Sequence, residues 1–199
     1  MFRSPIIEPN LGRFESPYRK AFLRSDALQA IFIIGLSNLG SLALIRSDFH
    51  SLGWTAGFQQ FLAARLIVFL ISMLAIYILA TSPIPRSHDL AVSSYMVAGA
   101  FINIFINATA PPDYIAYIGV AIVLLNIYYF ALYTPFTVRL SISILFSAAV
   151  IYQGLNSPFS QDTKTVIVGM HIVTNLIGSF ISARLYTHRR LSFQAHAEE

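Results

Sequence analysis

An all-α integral membrane protein is the fold class this sequence predicts: a bundle of six helices with both termini on the cytoplasmic side. Three observations predict it. Of 199 residues, 56% are hydrophobic and 11% charged, where a soluble domain carries about 45–50% apolar and about 25% charged residues. Mean hydropathy is +0.65. The apolar residues fall into six runs of about the 20 residues a bilayer crossing needs, and the lysines and arginines are placed unevenly between those runs. Too little polar surface remains to cover a globule in water or to keep a chain disordered. Helices satisfy their own backbone hydrogen bonds in lipid, and the alternating pattern of a barrel strand is missing.

The six spans fall at 27–45, 60–80, 90–110, 114–133, 136–155 and 165–185. Residues 1–26 form a basic, amphipathic lead-in. Ser16-Pro17 reads as a helix start, with Phe14, Tyr18, Ala21 and Phe22 near one face and Arg19, Lys20 and Arg24 toward another. This predicts a short interfacial helix on the inner leaflet, or a plain juxtamembrane basic segment. Asp26 is placed to cap the first span, which has no persuasive cleavage site and reads as a permanent anchor. Ser87 and Asp89 open the third span. Pro111-Pro112-Asp113 separates the third from the fourth, and Thr134-Pro135 precedes the fifth. Residues 160–163 open the sixth. Residues 186–199 stay compatible with a helix leaving the bilayer.

An even number of crossings puts both termini on one side. That side holds Arg3, Arg13, Arg19, Lys20, Arg24, Arg86, Arg139, Arg184, Arg189 and Arg190, and the other holds only Arg46 and Lys164. The bias makes the crowded side cytoplasmic. It also accounts for the net charge of +4 and the pI of 9.5 by topology and anionic lipid, without nucleic acid as a partner. The outer loops, 46–59, 111–113 and 153–164, are too short to fold into an external domain. Whatever the protein detects or carries meets the helices themselves.

Polar side chains inside a bilayer are costly and mark candidate sites. Arg65 lies in the outer part of the second span, and no span contains Asp or Glu. It either snorkels to the outer headgroups or meets a loop acid (Asp48, Asp113 or Asp162), helix-end carbonyls or an anionic ligand. His171 and Asn175 share a face of the sixth span at i,i+4, as Asn103 and Asn107 do on the third. Arg65, Asn107, Gln153 and His171 all fall in the outer third. They predict an outward-opening polar pocket, with Arg65, Asn107, His171 and Asn175 as ligand-binding candidates; the competing reading is interhelical hydrogen bonding that glues the bundle. Thr174, Gly178 and Ser182 form a row of small residues that permits close helix approach, in a dimer seam or within one chain. Trp54, Tyr114 and Tyr133 fit interfacial belts. No metal site or cofactor is indicated: cysteine is absent and only one histidine lies in a span.

The segment Glu15-x-x-Tyr18-Arg19-x-x-Phe22-Leu23-Arg24-x-Asp26-x-x-Gln29-Ala30 opens the chain's ordered pattern. Tyr114 opens the fourth span and Tyr128-Tyr129-Phe130 lies near its cytoplasmic end. Asn175-Leu176-x-Gly178, Arg184-Leu185 and Arg189-Arg190-x-x-Phe193 close the chain. Together these resemble the six-span, MASE-like membrane domain that precedes bacterial GGDEF diguanylate cyclases and class III adenylate or guanylate cyclases. The resemblance implies a dimeric sensor or anchor in the bacterial inner membrane that controls a cytoplasmic cyclase, in cis or in trans. No GGDEF or GGEEF run occurs in this sequence, so no cyclase activity is expected of these residues, which read as an excised or a standalone membrane domain. An intramembrane serine protease is disfavoured, because the fourth span has no serine and Gly35-Leu36-Ser37-Asn38 lacks the second glycine such a site uses. The alternatives are a small multi-span transporter, although no internal repeat or proton relay is visible, and a membrane anchor without a ligand.

Overall fold

In the computed structural model the described residues are 11–111 and 116–198, with the side chains of 116–118 left aside. Six α-helices follow one another: α1 Glu15–Leu52, α2 Ala56–Thr81, α3 Pro85–Thr109, α4 Ala116–Asn126, α5 Phe136–Asn156 and α6 Gln161–Glu198. No strand occurs among the described residues. Five of the six, all but α4, are long and apolar enough to cross a membrane. The fourth element is a shorter apolar helix, and the beginning of the predicted fourth span, with Pro112, Asp113 and Tyr114, lies outside the described residues. Arg3 does too.

Punctuation in the sequence sets most boundaries. Gly53, at φ +61° and ψ −163°, takes a positive-φ conformation open to glycine that ends α1, and its N–H reaches the Phe49 carbonyl at 2.9 Å. The Thr55 hydroxyl caps α2 by accepting from the Phe58 N–H at 3.3 Å. Pro85 occupies the first turn of α3. The Ser160 hydroxyl accepts from the Thr163 N–H at 3.2 Å to open α6.

Two expectations are corrected. The lead-in is not a separate interfacial helix: α1 runs unbroken for 38 residues, about 57 Å at 1.5 Å per residue. Nothing between residues 15 and 27 breaks it. Pro17 falls within the first turn, where no intrahelical hydrogen bond is required of its nitrogen. Tyr18 is buried, with its ring 5.1 Å from Phe22 and 5.5 Å from Phe193 of α6. Asp26 accordingly sits in mid-helix rather than at a cap, and Arg189 of α6 donates to it at 2.7 Å.

α2 packs between α1 and α3, α5 lies between α3 and α6, and α4 sits against α3 and α6. The central core joins Ala30 and Ile34 of α1, Ala75 and Leu79 of α2, Val92, Tyr95 and Met96 of α3, Leu125 of α4, and Phe146 and Val150 of α5. The outer surface is apolar: Phe32, Leu70, Phe101, Leu145 and Leu176 are each about two-thirds exposed, while Asn38, Arg65, Asn103, Ser143, Ser147 and His171 are buried. A soluble monomer seldom exposes so continuous an apolar surface. Apolar-out and polar-in is the arrangement a helical bundle takes when lipid is its solvent.

Candidate functional site

The polar residues buried between the helices form two clusters. In the first, the Arg65 Nε donates to Asp48 Oδ2 at 2.8 Å and its Nη1 to the Ser41 hydroxyl at 3.1 Å. Both charged side chains are at most 5% exposed. The pairing exists because α1 continues to Leu52, beyond the predicted span end at 45, and so carries Asp48 alongside α2. Asn38, Ser41 and Asp48 follow one another at i, i+3 and i+10, a single stripe along α1. Beside it, Asn107 donates to Asn103 at 3.0 Å across the predicted i,i+4 spacing. Arg65, Asn38, Ser41, Asn103 and Tyr95 line a partly open cavity of about 760 Å³ among α1, α2, α3 and α4.

The second cluster ties α4, α5 and α6. The Asn175 Nδ2 donates to the Ser147 hydroxyl at 2.6 Å and to the His171 carbonyl at 2.7 Å, and the Tyr129 hydroxyl donates to Asn175 Oδ1 at 2.7 Å. The His171 ring is fully buried, with Nδ1 2.9 Å from the Ile167 carbonyl and Nε2 without a partner. Gly178 lies under the Tyr129 ring, where a Cβ would collide, and Ser182 is buried a turn further on. At Gly178 the small-residue row faces the chain's own α4 end; Thr174 is half-buried.

His171 is absent from the cavity wall that Arg65 lines. The four outer-third residues therefore do not converge on one pocket. Asn107 and Gln153 line a separate recess of about 220 Å³, and Gln153 also donates to the Ile104 carbonyl at 2.9 Å, joining α5 to α3. Among the described residues no three His, Cys, Asp or Glu side chains gather in the manner of a metal site.

Two further sites went unread in the sequence. Arg139, counted there only as a cytoplasmic charge, is 2% exposed. Beyond Asn126 the fourth helix widens into a π turn, Ile127–Ala131, which frees carbonyls at its end. Arg139 donates to the carbonyls of Tyr129 at 3.1 Å and Leu132 at 3.3 Å, and Gln29 of α1 donates to that of Ala131 at 3.1 Å. A cation at a helix C-terminus also meets the favourable end of the dipole.

The other is a joint between α1 and α6 at the end of the bundle where both lead outward. Arg190 pairs with Glu15, Arg189 with Asp26, and Arg19 with Asp89 of α3. Tyr18, Phe22 and Phe193 stack edge to face between them, and Arg189 lies 3.9 Å above the Phe22 ring and 4.7 Å above that of Tyr133. Burial disfavours the Arg190 cation, but the hydrogen bond and charge of Glu15 outweigh it, leaving its pKa raised. Burial pushes the Tyr18 phenol well above its ordinary range. The spacing 15, 18, 19, 22 and 26 marks one helical face, the signal by which the joint could have been found.

Comparison with known proteins gives no match, whether to family models, to curated proteins or to solved structures.

Proposed function

We propose that this chain is a membrane regulatory module whose α6 reports the state of the helix bundle to a cytoplasmic nucleotide-cyclase output, joined in cis or acting in trans. One observation carries the reading. Eight of the residues on which the resemblance to cyclase-linked membrane domains rests (Glu15, Tyr18, Arg19, Phe22, Asp26, Arg189, Arg190 and Phe193), drawn from near both ends of the chain, meet in a single joint. α6 passes through that joint without a break and continues to Glu198. A stiff helix clamped near the membrane surface transmits a shift or rotation, which a flexible linker would absorb. In this reading the bundle crosses a bacterial inner membrane six times, both ends are cytoplasmic, two copies associate, and a stimulus alters the relation between their exit helices.

A fusion of a diguanylate cyclase after Glu199 tests the proposal. Asp26→Asn and Arg189→Gln loosen the joint and are expected to change cyclic dinucleotide output at least about threefold at equal membrane abundance, the response to a coupling change of about 0.7 kcal/mol. Equal output from the wild-type fusion and both variants overturns it. A transporter is the second reading, favoured by the polar-lined cavity among α1–α4. Solute flux into proteoliposomes that is lost on replacing Arg65 would support transport instead. A ligand-free anchor predicts neither response.

A further inference from the structure

The cavity among α1–α4 has walls that define a class of ligand. Most of the lining is apolar, from Ile33, Leu36 and Leu44 of α1 to Ile102 of α3 and Val123 of α4. The cation that borders it, Arg65, is already matched by Asp48 at 2.8 Å, and both are buried. Among the described residues the polar end of the cavity is therefore close to neutral. An added carboxylate or phosphate would lose its hydration in a site whose positive charge is already compensated.

Asn38 supplies the specific demand. Its side chain is buried, and its amide nitrogen is enclosed without a hydrogen-bond partner in the fold. A buried amide N–H left unpaired is costly, and because it donates, a carbonyl or a hydroxyl oxygen that accepts satisfies it.

Access is sideways. Among the described residues α1 and α4 do not pack closely against each other, and Leu36 and Val123, which line the cavity from these two helices, are more than half exposed on the outer surface. Gly40 and Gly119 also line the cavity, and a Cβ at either would meet no atom within 4 Å. A side chain at either position would start in open space beside the ligand's volume.

We infer that this cavity takes an uncharged lipophile from the bilayer, through the gap between α1 and α4, and holds its hydroxyl or carbonyl oxygen at Asn38 beside the Arg65–Asp48 pair. The inference deepens the sensing reading and rests on the bundle lying in a membrane. It needs no cyclase.

The test uses the full chain in phosphatidylcholine nanodiscs and three photoreactive C16 probes that carry the same diazirine on the chain: an alcohol, a carboxylic acid and a hydrocarbon. The alcohol is expected to label buried cavity residues such as Tyr95 or Ile106, and unlabelled hexadecanol and methyl palmitate are expected to compete. The acid and the hydrocarbon should label at least about fivefold less, the size of one neutral hydrogen bond expressed as binding. Asn38→Leu should bring alcohol labelling down to the hydrocarbon level. Gly40→Leu and Gly119→Leu should each abolish it, with thermal unfolding confirming that each variant is folded. Should any variant not fold, the comparison of the three probes on the wild type decides. Equal labelling by alcohol and hydrocarbon, preference for the acid, labelling outside the cavity, or full labelling of folded Gly40→Leu and Gly119→Leu each overturns the inference. Such a failure leaves control of output through the joint standing, and an output indifferent to the joint leaves the labelling result standing.

Discussion

Removing the Arg65 guanidinium takes from the buried Asp48 carboxylate the cation it pairs with. Arg65→Met is expected to cost about 3–5 kcal/mol, because a lone buried charge keeps its desolvation penalty and loses its compensation. Combining it with Asp48→Asn should recover most of that loss. A double-mutant cycle on denaturant unfolding in detergent measures the coupling; additive losses would mean the two groups do not depend on each other. The need for a partner at Arg65 was legible in the sequence, and Asp48 was among three acids that could supply it. The choice between them was not, because it turned on how far α1 continues past residue 45, and Gly53 rather than the end of the apolar run stops the helix. Snorkelling does not occur, since the guanidinium finds Asp48 and Ser41 without leaving the bundle.

At the scale of elements, the end of α4 depends on side chains from three other helices. Arg139→Met would leave the Tyr129 and Leu132 carbonyls without these donors. It is expected to lower stability by about 1–3 kcal/mol, seen as an earlier unfolding midpoint, and Arg139→Lys should restore only part of it because an ammonium lacks the guanidinium fork. An unchanged midpoint for Arg139→Met would remove Arg139 from this role. Gly178→Leu would force the Tyr129 ring aside, with an expected cost of about 1–3 kcal/mol from overpacking; the same substitution at Gly169, where a Cβ meets nothing within 4 Å, should be nearly neutral. The row Thr174, Gly178 and Ser182 was visible as a four-residue period. Its partner was not, because the π turn that carries Tyr129 has no distinctive composition and follows from packing against other helices. The same limit applies to the polar clusters: spacing placed Asn103 with Asn107 and His171 with Asn175, but only the way the helices pack together separates Arg65 from His171.

Over the whole molecule, α1 and α6 are each 38 residues long, about 57 Å, against a hydrocarbon core of about 30 Å. In a bilayer both would project beyond the hydrocarbon, and their ion pairs place the projecting ends together at one end of the bundle. The helical, membrane-suited character was legible from composition and run length alone, and so was the order of the elements from their prolines, glycines and caps. The joint was half legible: its residues stood out as a pattern near each terminus, but contacts across more than 160 positions leave no local periodicity to read. The orientation of the bundle rests on the arginine and lysine bias, and it underlies the proposed route from membrane to cytoplasm. The chain has no cysteine, so single substitutions Arg13→Cys, Gln161→Cys and Ala197→Cys report side directly through a membrane-impermeant maleimide. In intact spheroplasts the reagent should modify Gln161→Cys and leave Arg13→Cys and Ala197→Cys untouched until the membrane is opened; modification of either chain end from outside would contradict the topology and the signalling route built on it.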